Sequence, residues 1–331
     1  MRGVITLYGW LRRLRLARTG VMEFAGIVGL LLQLLPAPTW GLGRYPGDTL
    51  PAGHPRANAV VRVLNVGIGV GTGTVIHIKP DSTGGGWLCV LTADHVVGDG
   101  NTWRIGFGNL DQGWQYEAPI MFRGPQNPDG TWVDLAMLGV RVPNLANLPQ
   151  MELPTPSAPL HYYLTVAGFG LQGNPAGPRF YDAGNNTYGV YRSGFNTIDR
   201  EEPGSVSTST KSYRFDALKY DLDFLPPNGW PPQEGEAHLF SGDSGGPSFQ
   251  STTGDPETGD WFLVGVHSYS QRTIFSNGDE RASEGAISAD VRVGSYLDWI
   301  HQTCELVPEP ASLLALAAGL VGLAFRRRRA G

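Results

Sequence analysis

The stretch Ser241-Gly-Asp-Ser-Gly-Gly-Pro247 decides how the rest of the chain is read. A serine hydroxyl is a poor nucleophile until a base takes its proton. The carbonyl that it attacks needs hydrogen-bond donors where negative charge develops. Glycines on both sides of a serine let the backbone aim N–H groups at one point, in conformations that side chains resist. A bare Gly-x-Ser-x-Gly also fits a surface turn. The full string Gly-Asp-Ser-Gly-Gly-Pro is far more specific.

A nucleophile needs partners, and two stand upstream. In Leu91-Thr-Ala-Asp-His-Val-Val97, His95 directly follows an apolar run, as a rigidly placed base would. In Val133-Asp-Leu-Ala-Met-Leu138, Asp134 opens another apolar run, where a carboxylate is costly unless it is hydrogen-bonded. Alone, each fits a structural role, at a strand end or in a cap. The chain order His95, Asp134, Ser244 is that of one known triad arrangement.

With these three strings the chain resembles the trypsin-like serine proteases. Thr92-Ala-Asp-His95 is similar to the family's Thr-Ala-Ala-His, with Asp94 in place of an alanine. Thr165-Val-Ala-Gly-Phe-Gly170 resembles its Val-Ser-Gly-Trp-Gly strand. Leu263-Val-Gly-Val-His-Ser268 resembles the strand that lines its substrate pocket. Val293-Gly-Ser-Tyr-Leu-Asp-Trp-Ile-His301 is similar to its C-terminal helix. The resemblance spans about 59–303. It implies an all-β fold of two packed six-stranded antiparallel barrels with a C-terminal helix. It implies peptide-bond hydrolysis through an acyl-enzyme, with no cofactor. Ser244 would attack, His95 would carry the proton, Asp134 would orient His95, and the N–H groups of Gly242 and Ser244 would form the oxyanion hole. The family's activating Ile-Val-Gly-Gly start is missing near 50–65, so Asp243 needs a partner other than a new N-terminal amine. The half-cystine that usually follows the catalytic histidine is also missing, since Val96 follows His95.

The same alignment gives a substrate pocket. Its base would hold His238, where a trypsin has an aspartate. Its wall would include Ser241, His267, Ser268 and Ser270. Glutamate-preferring members of this fold resemble that arrangement. A histidine with two hydroxyls can hold a carboxylate by charge-assisted hydrogen bonds, so cleavage after Glu, with Gln or Asp as further candidates, is expected; the alternative is a core His267 and an apolar or small-residue pocket.

Composition agrees with a turn-rich β protein. Gly (46) and Pro (25) together make about 21% of 331 residues, below the ~25–30% of low-complexity chains. Short apolar runs at 59–64, 72–78, 87–92, 135–140, 163–167, 261–268 and 286–291 read as strands, cut by turns such as Asn127-Pro-Asp-Gly130. Residues 293–302 read as the one good helix. The Gly/Pro/Tyr-rich region 171–235 carries no clear pattern.

Charge is uneven. Residues 1–40 are net +4 and residues 307–331 are net +3, so the net −5 of the chain leaves −12 on 41–306. An acidic body disfavours nucleic acid as a partner. Leu11-Arg-Arg-Leu-Arg-Leu-Ala-Arg18, the apolar 25–35 and Pro36-Ala-Pro38 read as a signal peptide over 1–37, the alternative being a buried helix. A linker over 38–57 and a protease domain over 58–304 follow. Val307-Pro-Glu-Pro-Ala-Ser312, an apolar run at 311–325 and Arg326 to Arg329 resemble the PEP-CTERM sorting tail of bacterial exported proteins. The tail would be a transient anchor over 305–331, recognised and removed by an exosortase-type enzyme. As a helix at ~1.5 Å per residue the run spans about 22 Å, a short membrane segment. A plain membrane anchor is the alternative.

Two other functions fit parts of the sequence. Gly242 to Gly246 also matches the nucleophile elbow of α/β-hydrolases, with His267 or His301 as base. A protease fold can also survive as a binding module. Cys89 lies in an apolar run and reads as a small buried hydrophobe. No metal-ligand cluster is visible.

Overall fold

A computed structural model describes residues 55–308, apart from 147, 151, 155–159, 161–162, 178–179, 185–186, 224–235 and 254–259. The expected signal peptide, most of the linker and the membrane segment of the tail lie outside the described residues. Among the described residues, no helix is long and apolar enough to cross a membrane.

The first sheet is built from β1 (Val60–Asn65), β2 (Gly69–Pro80), β3 (Gly86–Thr92), β4 (Trp103–Gly106), β5 (Tyr116–Ala118), β6 (Ile120–Arg123) and β7 (Ala136–Val142), in the order β5-β4-β1-β2-β3-β7-β6. All its pairings are antiparallel. β5 pairs with β4, and β6 pairs with β7 at the opposite edge. Only Pro119 separates β5 from β6. Proline has no N–H to give a ladder, so the pairing breaks there and changes partner. The two edges are thereby joined, and six strands close as a barrel.

The second sheet runs β11 (Arg192–Thr197), β8 (Tyr163–Gly168), β14 (Pro247–Ser251), β15 (Trp261–Ser270), β18 (Ser288–Arg292), β13 (Ser212–Tyr220), β12 (Arg200–Ser207). It therefore has seven strands where six were expected. The addition is β12, an exposed edge strand in a hairpin with β13. A further small sheet, also unexpected, has the order β16-β17-β10-β9, from β9 (Gly173–Gly177), β10 (Phe180–Ala183), β16 (Thr273–Ile274) and β17 (Glu280–Ser283). The region 171–235 thus supplies β9 to β13.

Each apolar run read from the sequence is a strand. β3 is the plainest case. All seven of its residues are buried, so it shows no alternation. One face lies in the barrel and the other is covered by the C-terminal helix. Each fully buried Leu or Val there contributes about 1.5–3 kcal/mol. That helix begins as a 3-10 turn over Val293–Tyr296 and continues as α2 (Leu297–Leu306). Cys304 of α2 is disulfide-bonded to Cys89 of β3, Cα to Cα 5.8 Å. Cys89 is therefore a half-cystine rather than a free buried thiol. Lys79 Nζ donates to the carbonyls of Glu305 (3.1 Å) and Val307 (2.9 Å), and Val307 is fully buried. The helix is thus fastened to the first barrel by a covalent bond, a cation and an apolar side chain.

Candidate active site

The expected base, His95, is placed by a single turn. β3 ends at Thr92, and the short α1 (Asp94–Val97) begins at once, so His95 sits at the mouth of the first barrel. Asp134 stands two residues before β7 and is wholly buried. Its Oδ2 lies 2.8 Å from His95 Nδ1, and its Oδ1 accepts the His95 backbone N–H at 3.0 Å. Ser268 Oγ donates to the same Oδ2 at 2.5 Å. Burial would push the Asp134 pKa up, but the His95 charge and these hydrogen bonds outweigh it and leave it lowered. For His95, burial pulls the pKa down, and the Asp134 charge and hydrogen bond leave it raised. The carboxylate is thus held ionised and the imidazole is fixed by Nδ1, which leaves Nε2 to face a substrate.

Ser244 comes from the second barrel. Its loop turns at Gly242 (φ +92°) and Gly245 (φ +80°), left-handed conformations that suit glycine. The N–H groups of Asp243, Gly245 and Gly246 donate inward, to the carbonyls of Phe240, His267 and Asp243. Among the described residues, the N–H groups of Gly242 and Ser244 have no acceptor. These are the two donors expected of an oxyanion hole. β2 braces the loop from the first barrel. Thr72 N–H donates to Ser244 O at 2.8 Å, and Thr72 Oγ1 donates to Gly242 O at 2.8 Å. His95 and Ser244 line one cavity of about 320 Å³.

Asp243 is buried, and among the described residues no N-terminal amine meets it. Instead the Gly170 N–H donates to its Oδ1 (2.9 Å) and the Phe240 N–H to its Oδ2 (3.0 Å). A Cβ on Gly170 would stand 2.6 Å from the Asp243 backbone nitrogen, so only glycine permits this approach. Burial pushes Asp243 up to about 6, against those hydrogen bonds and the nearby His267 and Arg192. The departure at Asp94 also finds its reason. Asp94 is fully buried behind His95 and accepts from Arg123 Nη1 (2.8 Å), Lys211 Nζ (3.0 Å) and Tyr213 Oη (3.0 Å). Lys211 stands at the turn between β12 and β13, so the extra hairpin is tied to the back of α1.

The expected pocket residues separate. His267, Ser268 and Ser270 line the cavity. His267 is buried, and its Nδ1 lies 2.8 Å from Asp290 Oδ1. Its Nε2 has no hydrogen-bond partner. His238 is not part of the lining. It is fully buried, with Nε2 3.1 Å from Gln271 O and Nδ1 3.2 Å from Ser288 Oγ, and burial pulls its pKa down to about 3. It is a neutral core residue below the pocket. Ser241 is held beneath the rim by Glu280, which accepts from both its N–H (3.0 Å) and its Oγ. Sequence reasoning missed two residues here, Arg272 and Glu280. Neither stands in a motif, and the turn into β16 and β17 is what brings them together.

Elsewhere the fold gathers Asp221, Asp223 and Glu236, whose carboxylate oxygens lie within 4.8 Å of one another. The sequence scatters these three over 16 positions, which hides the cluster.

Comparison with known proteins agrees with this fold. Human heparin binding protein superposes with a TM-score of 0.50 at 19% identity, covering 81% of this chain and 98% of its own. A mutant of the same protein gives 0.50 at 18% identity with the same coverage. The chain has the chymotrypsin-like fold. That corrects the α/β-hydrolase alternative, which needs a parallel sheet flanked by helices. Residues 306–329 match the PEP-CTERM protein-sorting motif, which begins at the last residue of α2. The chain is thus an exported protein with a C-terminal sorting tail, read by an exosortase-type enzyme. No curated protein matches the sequence.

Proposed function

We propose that the chain is an exported serine endopeptidase with the triad His95, Asp134 and Ser244, and with a preference for Glu before the scissile bond. The observation that carries this reading is the state of Asp134. A fully buried carboxylate accepts from His95 Nδ1, His95 N and Ser268 Oγ at once, beside a cavity that His95 shares with Ser244. Removing a carboxylate from water is costly, and this one is offset by groups that orient a base.

In the reaction, His95 Nε2 takes the Ser244 proton as Oγ adds to the substrate carbonyl. The imidazolium that forms lies against Asp134. The carbonyl oxygen, now negative, accepts from the N–H groups of Gly242 and Ser244. His95 then gives its proton to the leaving amine, and water repeats the sequence on the acyl-enzyme.

Hydrolysis of a peptide library by the wild type, by Ser244→Ala and by His95→Ala tests the proposal. Turnover by the wild type alone supports it. A properly folded wild type that binds peptides without cleaving any overturns it in favour of a binding module. Cleavage mainly after Lys, Phe or Leu removes the Glu preference.

A further inference from the structure

Resting on that reading, we infer that Arg272 is the principal specificity residue of the pocket and that it selects a carboxylate-bearing side chain before the scissile bond.

The two hydroxyls expected to hold such a carboxylate are already engaged. Ser241 Oγ gives its proton to Glu280 Oε1, and Ser270 Oγ gives its proton to Leu239 O at 2.8 Å. Each then accepts from the same guanidinium. Arg272 Nη1 donates to Ser270 Oγ at 2.7 Å, and Nη2 donates to Ser241 Oγ at 3.1 Å. A hydroxyl has one proton, so neither serine can also donate to a substrate. The donor that remains belongs to the arginine, on Nη2.

Arg272 is built in as a fixed cation. Its Nε stands 2.9 Å from Glu280 Oε2 in an ion pair. The guanidinium side chain is 22% exposed and lines the cavity, whereas Glu280 is 3% exposed behind it. The negative partner therefore lies in the wall and the positive one at the surface. His267 also has a carboxylate behind it, Asp290, but both side chains are fully buried and Nε2 is unpartnered among the described residues. The one partly exposed cation of the two, Arg272, is held from behind by a buried carboxylate and faces the cavity. Nη1 gives its hydrogens to Ser270 Oγ and to Ser270 O (3.3 Å), whereas Nη2 keeps an N–H beyond the one given to Ser241, which can make a charge-assisted hydrogen bond to a carboxylate. Glu280 is a positioning residue in this scheme. Because the domain as a whole is acidic, the attraction has to be local, and a pinned guanidinium supplies it.

The test compares matched substrates with Glu or Gln before the cut, which differ only in charge. The ratio of their kcat/KM values is internal to each variant and independent of the active fraction. In the wild type Glu is favoured at least about 10-fold, as one charge-assisted hydrogen bond implies. In Arg272→Gln the ratio falls towards 1, and Arg272→Lys, which keeps the charge and loses the fork, restores part of it. An unchanged Glu/Gln ratio in Arg272→Gln overturns the inference. Should that variant fail to fold, product inhibition of the wild type replaces it. A peptide ending in Glu must inhibit at least about 10-fold better than its Gln amide, and equal inhibition overturns the inference. Failure of the protease reading is distinguishable, because it leaves the wild type with no turnover on either substrate.

Discussion

Reduction of the Cys89–Cys304 disulfide gives the sharpest prediction about stability, because its size follows from the chain. The bond joins residues 215 apart, so it encloses all three residues of the proposed triad. For a loop of that length, the chain-entropy relation gives about 5 kcal/mol at 25 °C. Measured losses run lower than the relation where the unfolded chain keeps structure, so about 3–5 kcal/mol is expected. Both half-cystines are buried, at 0% and 7% exposure, so a reductant reaches them only when the chain opens. The assay is urea unfolding of the oxidised protein, of protein refolded under reductant, and of Cys89→Ala/Cys304→Ala, with thiols titrated in each state. Native oxidised protein should titrate no thiol, even in reductant over minutes. Unfolding in reductant should then release two. The reduced chain and the double variant should lose similar stability. A loss below about 0.5 kcal/mol, or two thiols in protein secreted through an oxidising compartment, refutes the account of how α2 is held.

Other outcomes follow from single groups. Ser268→Ala removes a hydrogen bond to a buried carboxylate, worth about 1.5–3 kcal/mol, and should lower kcat/KM by about 10-fold while leaving the order of peptide preference intact. Neutral His95 is the active form and its pKa is raised, so activity should be lost as pH falls through a value above the ordinary 6.5, read from a kcat/KM profile. Burial and the charges of Asp223 and Asp199 push Glu236 up to about 8 from 4.5. The folded state therefore holds a proton that the unfolded state releases, and stability should fall as pH rises from about 4.5 to about 8. Glu236→Gln should flatten that slope in urea midpoints measured at pH 5 and 8.5, and an unchanged slope contradicts the assignment. Gly245→Ala forces a side chain into the left-handed region and against Thr92 Oγ1 and Thr72 O, and should cost at least about 1–3 kcal/mol from backbone strain alone, read by thermal melting.

Much of this was legible because the triad segments are local. His95 and Asp134 each stand beside an apolar run whose strand character needs no partner to be recognised, and Ser244 stands in its own glycine-rich string. The terminal helix shows its face in the same way. What escaped reading is held by long-range contacts. β12 is polar and exposed, with Pro203 and Gly204 in its middle, and it becomes a strand only by lying against β13. The partners of Asp243 are backbone N–H groups, which no side-chain pattern announces. His238 aligns with a pocket base, yet the ring turns into the core where Gln271 O and Ser288 Oγ receive it. Arg272 and Glu280 are eight residues apart around a turn, and only the small third sheet sets them as a pair.

The central claim is that Ser244 is a nucleophile activated by His95. A fluorophosphonate probe tests it most directly, with the adduct located by peptide mass. The account predicts one adduct per chain, on Ser244, at pH 8, and none in His95→Ala. A folded wild-type protein that takes up no probe, or takes it up on another serine, contradicts the account.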